Sequence, residues 1–71
     1  MTLKTAPLGR EMIVQGMETQ DAGLEAFLFS LGCYTGEPVT VISRRRGSCI
    51  VAIKDGRYTI DDQLADAISV Y

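Results

Sequence analysis

Between Val39 and Ile60 the chain carries three short apolar runs separated by two turn signals, and no other feature restricts its fold as much. Val39 to Ser43 is rich in β-branched residues and reads as a strand. Arg44 to Ser48 is polar with one glycine and reads as a hairpin loop. Cys49 to Lys54 is a second strand, with Cys49, Val51 and Ile53 on one face and Ile50 and Ala52 on the other. Asp55-Gly56 is a two-residue type I′ hairpin signal, and Arg57 to Ile60 is the returning strand. Such a meander leaves two bare edges and an apolar face, so the flanking segments must cover them.

The flanks supply the missing elements. Pro7 and Gly9 bracket a turn near the start. Met12, Ile13, Val14 and Met17 place a strand over Glu11 to Met17, bulged or ended at Gly16. Thr19 and Asp21 are good helix caps. Leu24, Phe27, Leu28 and Leu31 follow at i, i+3, i+4 and i+7, a single apolar stripe about 100° wide. Gly32 stands where a residue just past a helix end belongs. Asp61 or Asp62 caps a last helical turn through Ala67, and Ile68 to Tyr71 is a closing strand.

Five strands are too few for a sandwich. They predict a mainly β fold: a small, partly open SH3-like barrel. The last strand pairs with the first, the helix after strand one plugs one end with its stripe, and a helical turn precedes the last strand. At 71 residues the expectation is one domain over 1–71, with room for a modest core and none for a deep enclosed site. Apolar residues at 46% and charged residues at 23% exclude a disordered chain. A net charge of -2 argues against a surface that grips nucleic acid as a whole. No apolar run approaches the roughly 20 residues of a membrane span. Lys4 is not followed by an apolar segment, so no signal peptide is read and a cytoplasmic location is expected.

Catalysis has no visible constellation. There is no histidine, so Ser30, Ser43 and Ser48 have no imidazole to activate them. The glycines form no phosphate-binding loop. Cys33 and Cys49, the only cysteines, read as reduced structural thiols. Two thiolates without histidine do not complete a zinc site, and Asp61, Asp62 and Asp66 read as caps, so no metal and no cofactor is expected. The surface candidates are two. Phe29 lies about 150° from the centre of the helical stripe, points away from the core, and has Tyr34 nearby as a second aromatic. Arg44, Arg45 and Arg46 occupy a hairpin tip, where they could meet an acidic partner or phosphates.

The run Leu28-Phe29-Ser30-Leu31-Gly32-Cys33-Tyr34-Thr35-Gly36-Glu37-Pro38-Val39 resembles the signature of the ferrous iron transport protein A (FeoA) family: a helix ending in Leu-Gly, a second glycine four residues on, then a strand. Leu8-Gly9 and Ala67-Ile68-Ser69-Val70 resemble the family's ends. The resemblance implies an SH3-like domain without enzymatic activity. It also implies a small cytosolic accessory protein of bacterial ferrous iron uptake. Its partner would be a large membrane iron transporter with a GTPase domain (FeoB-like), which it binds and modulates, here through Phe29, Tyr34, Arg44, Arg45 and Arg46, with no nucleic acid and no insertion into the membrane. The alternative is an SH3-like barrel that binds nucleic acid or the ribosome through Arg44 to Arg46.

Overall fold

The computed structural model describes residues 1–18 and 21–71. The elements run β1 (Glu11–Met17), α1 (Ala22–Ser30), β2 (Pro38–Arg45), β3 (Ser48–Ile53), β4 (Gly56–Asp61), α2 (Asp62–Asp66) and β5 (Ile68–Val70). All strand pairs are antiparallel, in the order β4-β3-β2-β1-β5, so the last strand does lie against the first. A bulge between Val14 and Gly16 re-aims β1 as it passes from β2 to β5.

Alternation sets the core. In β3 the side chains of Cys49, Val51 and Ile53 are buried, with Ile50 and Ala52 half-buried behind them. Val39 and Val41 of β2, Met12 and Val14 of β1, and Ile68 and Val70 of β5 face the same interior. Leu64 and Ala65 of α2 close one side. Asp61 caps that helix, accepting from the Leu64 N–H at 2.7 Å.

The first ten residues contribute more than the turn expected of them. Leu3 and Ala6 are fully buried, and Leu3 N–H donates to the Ile68 carbonyl at 3.0 Å. The Arg44 guanidinium holds this strap down, donating to the carbonyls of Leu3 at 2.7 Å and Ala6 at 2.6 Å.

Both hairpin turns are shifted from their expected places. Arg45 pairs with Ser48, so the first turn is Arg46-Gly47, and Arg44 and Arg45 belong to β2 rather than to a loop tip. Ile53 pairs with Gly56, so the second turn is Lys54-Asp55. Lys54 takes the left-handed conformation (φ 54°) that the sequence pattern assigns to glycine. Gly56 is required for another reason: the Tyr58 ring lies across it, and a Cβ there would overlap the ring.

Helix α1 departs furthest from expectation. Asp21 caps it, accepting from Gly23 and Leu24 N–H groups. The proposed Thr19 cap lies outside the described residues. The other end closes as a Schellman turn, with Gly32 at φ 89°. Gly32 N–H donates to Phe29 and Cys33 N–H to Leu28, both at 3.0 Å. Of the stripe, only Leu28 is fully buried; Leu24 and Leu31 are half-buried and Phe27 is 50% exposed. Leu24 packs against the core beside Leu28, and the rest of the helix stays at the rim.

Candidate functional site

Helix α1 reads Ala-Gly-Leu-Glu-Ala-Phe-Leu-Phe-Ser, with Glu25 its only charge. A helix apolar on all sides is normally buried. This one buries Leu28 and leaves Ala22, Ala26, Phe27 and Phe29 exposed. At 100° per residue Ala22, Ala26 and Phe29 fall on the side opposite Leu28, with Glu25 at its margin. Ala22, Glu25, Ala26 and Phe29 line a shallow depression of about 460 Å³.

The outer face does not end with the helix. The Schellman turn folds the chain back so that Tyr34 meets Phe29, ring centroids 5.1 Å apart and tilted by 37°. Aromatic pairs favour this offset, tilted arrangement. Lys54, projecting from the β3–β4 turn, lays its Nζ 5.2 Å from the Tyr34 centroid and 3.3 Å from the Glu37 carboxylate. Its aliphatic stem crosses Gly32, where a Cβ would come within 2.9 Å of Cε. The ammonium is held above the ordinary lysine range, first by the Tyr34 side chain and then by Glu37. Phe29, Tyr34, Lys54 and Glu37 therefore form one connected surface row.

The structure thus brings Phe29 and Tyr34 together and separates the three arginines by role. Arg44 is engaged with the strap carbonyls, Arg45 ends β2, and Arg46 lies in the turn. Among the described residues no hydrogen bond, ion pair or ring contact joins the arginines to the Phe29–Tyr34 pair. Lys54 belongs to the site and is missed by sequence reasoning, because no periodicity relates it to a ring twenty residues before it.

The cysteines face inward. Burial pushes the Cys33 thiol up to about 11. Burial also raises Cys49, with Arg44 pulling it down and Asp62 adding to the rise. A raised thiol pKa suppresses the thiolate that alkylation or metal binding needs. Asp61 is occupied as a cap and Asp66 accepts from the Thr2 hydroxyl at 3.2 Å. Among the described residues no three Cys, Asp or Glu side chains converge as a metal ion requires. Nor is any helix among them long and apolar enough to cross a membrane.

No curated relative matches the chain by sequence. Solved structures do. The FeoA of Stenotrophomonas maltophilia, solved with zinc and described as a prokaryotic SH3 domain protein, superposes with a TM-score of 0.88 at 22% identity, covering 100% of this chain and 89% of that one. An iron uptake regulatory protein (FeoA) gives 0.87 at 21%, covering 99% and 93%. A manganese-dependent transcriptional repressor gives 0.90 at 24%, covering 99% of this chain but 39% of the repressor. These likenesses make the fold an SH3-like barrel. The FeoA domain model matches residues 1–71, and the chain belongs to that family of non-catalytic accessory proteins associated with ferrous iron transport.

Proposed function

We propose that this protein is a cytosolic accessory module that binds a membrane ferrous iron transporter on its GTPase side and modulates it, through the outer face of α1. The observation that carries the reading is the exposed helix itself. Phe29 is 63% exposed on a helix with one charge, and it is braced by Tyr34 rather than left to wave in solvent. Rigid aromatic anchors of this type supply a large share of interface energy. Arg45 and Arg46, with whatever charge Arg44 projects past the strap, add attraction toward an acidic surface. That attraction speeds encounter more than it strengthens the final complex.

The experiment titrates the folded protein into the transporter's soluble cytosolic domain, and into the whole transporter in detergent. Wild type binds, and Phe29→Glu weakens binding at least ten-fold while leaving the unfolding midpoint close to wild type. Replacing Arg45 and Arg46 by Ser slows association more at low salt than at high salt. Equal binding by Phe29→Glu removes the helix face from the interface. No binding by wild type to either preparation removes the docking reading.

A further inference from the structure

The sheet ends at β4, and the hydrogen-bond phase of the meander shows what that edge offers. The two-residue turn makes Ile53 and Gly56 a hydrogen-bonded pair, and alternation then turns the N–H and C=O of Tyr58 and Ile60 toward β3. Two bonds elsewhere agree with this phase. The Val41 carbonyl accepts from Gly9 at 2.8 Å and so points away from β3. Asp62 N–H, two residues past Ile60, donates inward to Gly47 at 3.0 Å. Arg57, Thr59 and Asp61 therefore direct their backbone groups off the free edge. No other strand lies beside it among the described residues. The side chains of all three are exposed.

We propose that β4 pairs with β4 of a second copy of this chain, antiparallel and centred on Thr59, joining two five-stranded sheets edge to edge. The argument for a second copy is charge complementarity under two-fold symmetry. Centring on Thr59 sets Arg57 of each copy opposite Asp61 of the other and Thr59 opposite Thr59, on one exposed face. Opposite charges and paired threonines are both favourable across strands. The other face sets Tyr58 opposite Ile60, but Ile60 is buried in its own core, so the pairing rests on the exposed face and the backbone. The neighbouring registers are worse. Centring on Tyr58 sets Asp55 opposite Asp61, and centring on Ile60 sets Arg57 opposite Gln63 and runs into α2. Charged residues on an edge usually discourage pairing. Here Arg57 and Asp61 are of opposite sign and equidistant from Thr59, so the same residues favour this one register.

Two Thr59 residues exchange both backbone bonds. Each Asp61 N–H donates to the other copy's Arg57 carbonyl, while the Asp61 carbonyl remains with α2, as at any N-cap. A five-residue edge falls well below the roughly 800 Å² per partner of stable interfaces, so the dimer is weak and concentration-dependent. It is independent of whatever α1 holds.

Sedimentation between about 10 μM and 1 mM tests it, together with Thr59→Cys under mild oxidation. A hydrogen-bonded pair has Cα atoms about 5.5 Å apart, inside the range a disulfide accepts. Thr59→Cys therefore crosslinks into dimers. Arg57→Cys, whose copies sit roughly 13 Å apart at 3.3 Å per residue, does not. Thr59→Pro removes an outward N–H without touching β3 and abolishes the dimer, and Arg57→Glu weakens it roughly ten-fold. Three results overturn the proposal: a wild type that stays monomeric with no Thr59→Cys crosslink, a dimer indifferent to Thr59→Pro, or backbone amide shifts at β4 that appear only when the transporter domain is added.

Discussion

Strand β3 and helix α1 are equally apolar on paper and are used in opposite ways. In β3 the period of two divides the side chains cleanly, and Cys49, Val51 and Ile53 enter the core. In α1 the apolar residues continue round the helix beyond Leu24, Phe27, Leu28 and Leu31, and only Leu28 is fully buried. The difference comes from the receiving surface. A strand brings its own neighbours, each registered against the next residue by residue, so whatever points inward is covered. A helix on the rim of a small barrel is covered only as far as the barrel extends, and here that covers Leu28 fully and Leu24 and Leu31 in part. Apolar pattern thus states what a segment can bury, and the size of the core states how much of that is buried. The remainder is the surface available to a partner.

The largest effect that can break this contrast is on stability. Leu28→Ala is expected to cost about 2–5 kcal/mol, because Leu28 is fully buried and its removal leaves a cavity. In a domain whose total stability is about 5 kcal/mol, that change can unfold it. Phe27→Ala removes more atoms but less buried surface and is expected to cost under about 1 kcal/mol. Denaturant unfolding of both variants decides the matter. Similar costs would mean that the stripe is packed after all.

How much was readable follows the same division. The meander, the Gly16 bulge, the Asp61 cap and the Schellman glycine rest on local chemistry or period, the pairing of last strand with first rests on the need to cover a bare edge, and each is present. The first turn falls on Arg46-Gly47, with Gly47 in the left-handed region, and in the second Gly56 stands in the strand under the Tyr58 ring while Lys54 takes the left-handed position. The strap residues Leu3 and Ala6 could not be read, since a short irregular segment has no period, and its anchor Arg44 lies 41 residues away from Leu3. In the site, the outward direction of Phe29 was legible from the helical wheel. The Tyr34 stack depends on the return angle after Gly32, and the Lys54 contact on how the second hairpin curls.

The core's side of the comparison is sharpened by pH. The Cys33 thiol sits at about 11 in the fold against an ordinary value of 9.0. The group is neutral below both values, so its burial contributes fully to stability there. Above pH 9 the unfolded chain ionises and the folded one does not, so stability is lost as pH rises from 9 through 11. Two units correspond to about 2–3 kcal/mol at the upper end. Unfolding midpoints measured across this window fall for wild type more steeply than for Cys33→Ala. Parallel slopes would show that the thiol exchanges with solvent in the folded state.

The smallest expected effect falls on the surface row, and it separates stability from presentation. Lys54 is an exposed residue in an ion pair with Glu37, and exposed pairs of this kind add little to stability. Lys54→Met keeps the stem over Gly32 and removes the charge over Tyr34, so the unfolding midpoint should stay close to wild type. The ring pair responds differently. Tyr34 is held against Phe29 from one side by the helix end and from the other by the Lys54 ammonium. Without the ammonium the Tyr34 ring gains freedom, and ordering it again on docking costs about 0.5–1.5 kcal/mol. Binding to the transporter domain is therefore expected to fall by roughly two- to ten-fold with the fold intact. Lys54→Arg, which restores a cation over the ring, should recover most of it. Nuclear magnetic resonance gives a readout that needs no partner: the ring-current shifts of Phe29 and Tyr34 should move toward free values in Lys54→Met and return in Lys54→Arg. Unchanged ring shifts in Lys54→Met would mean that the rings hold each other unaided and that the lysine serves the turn alone.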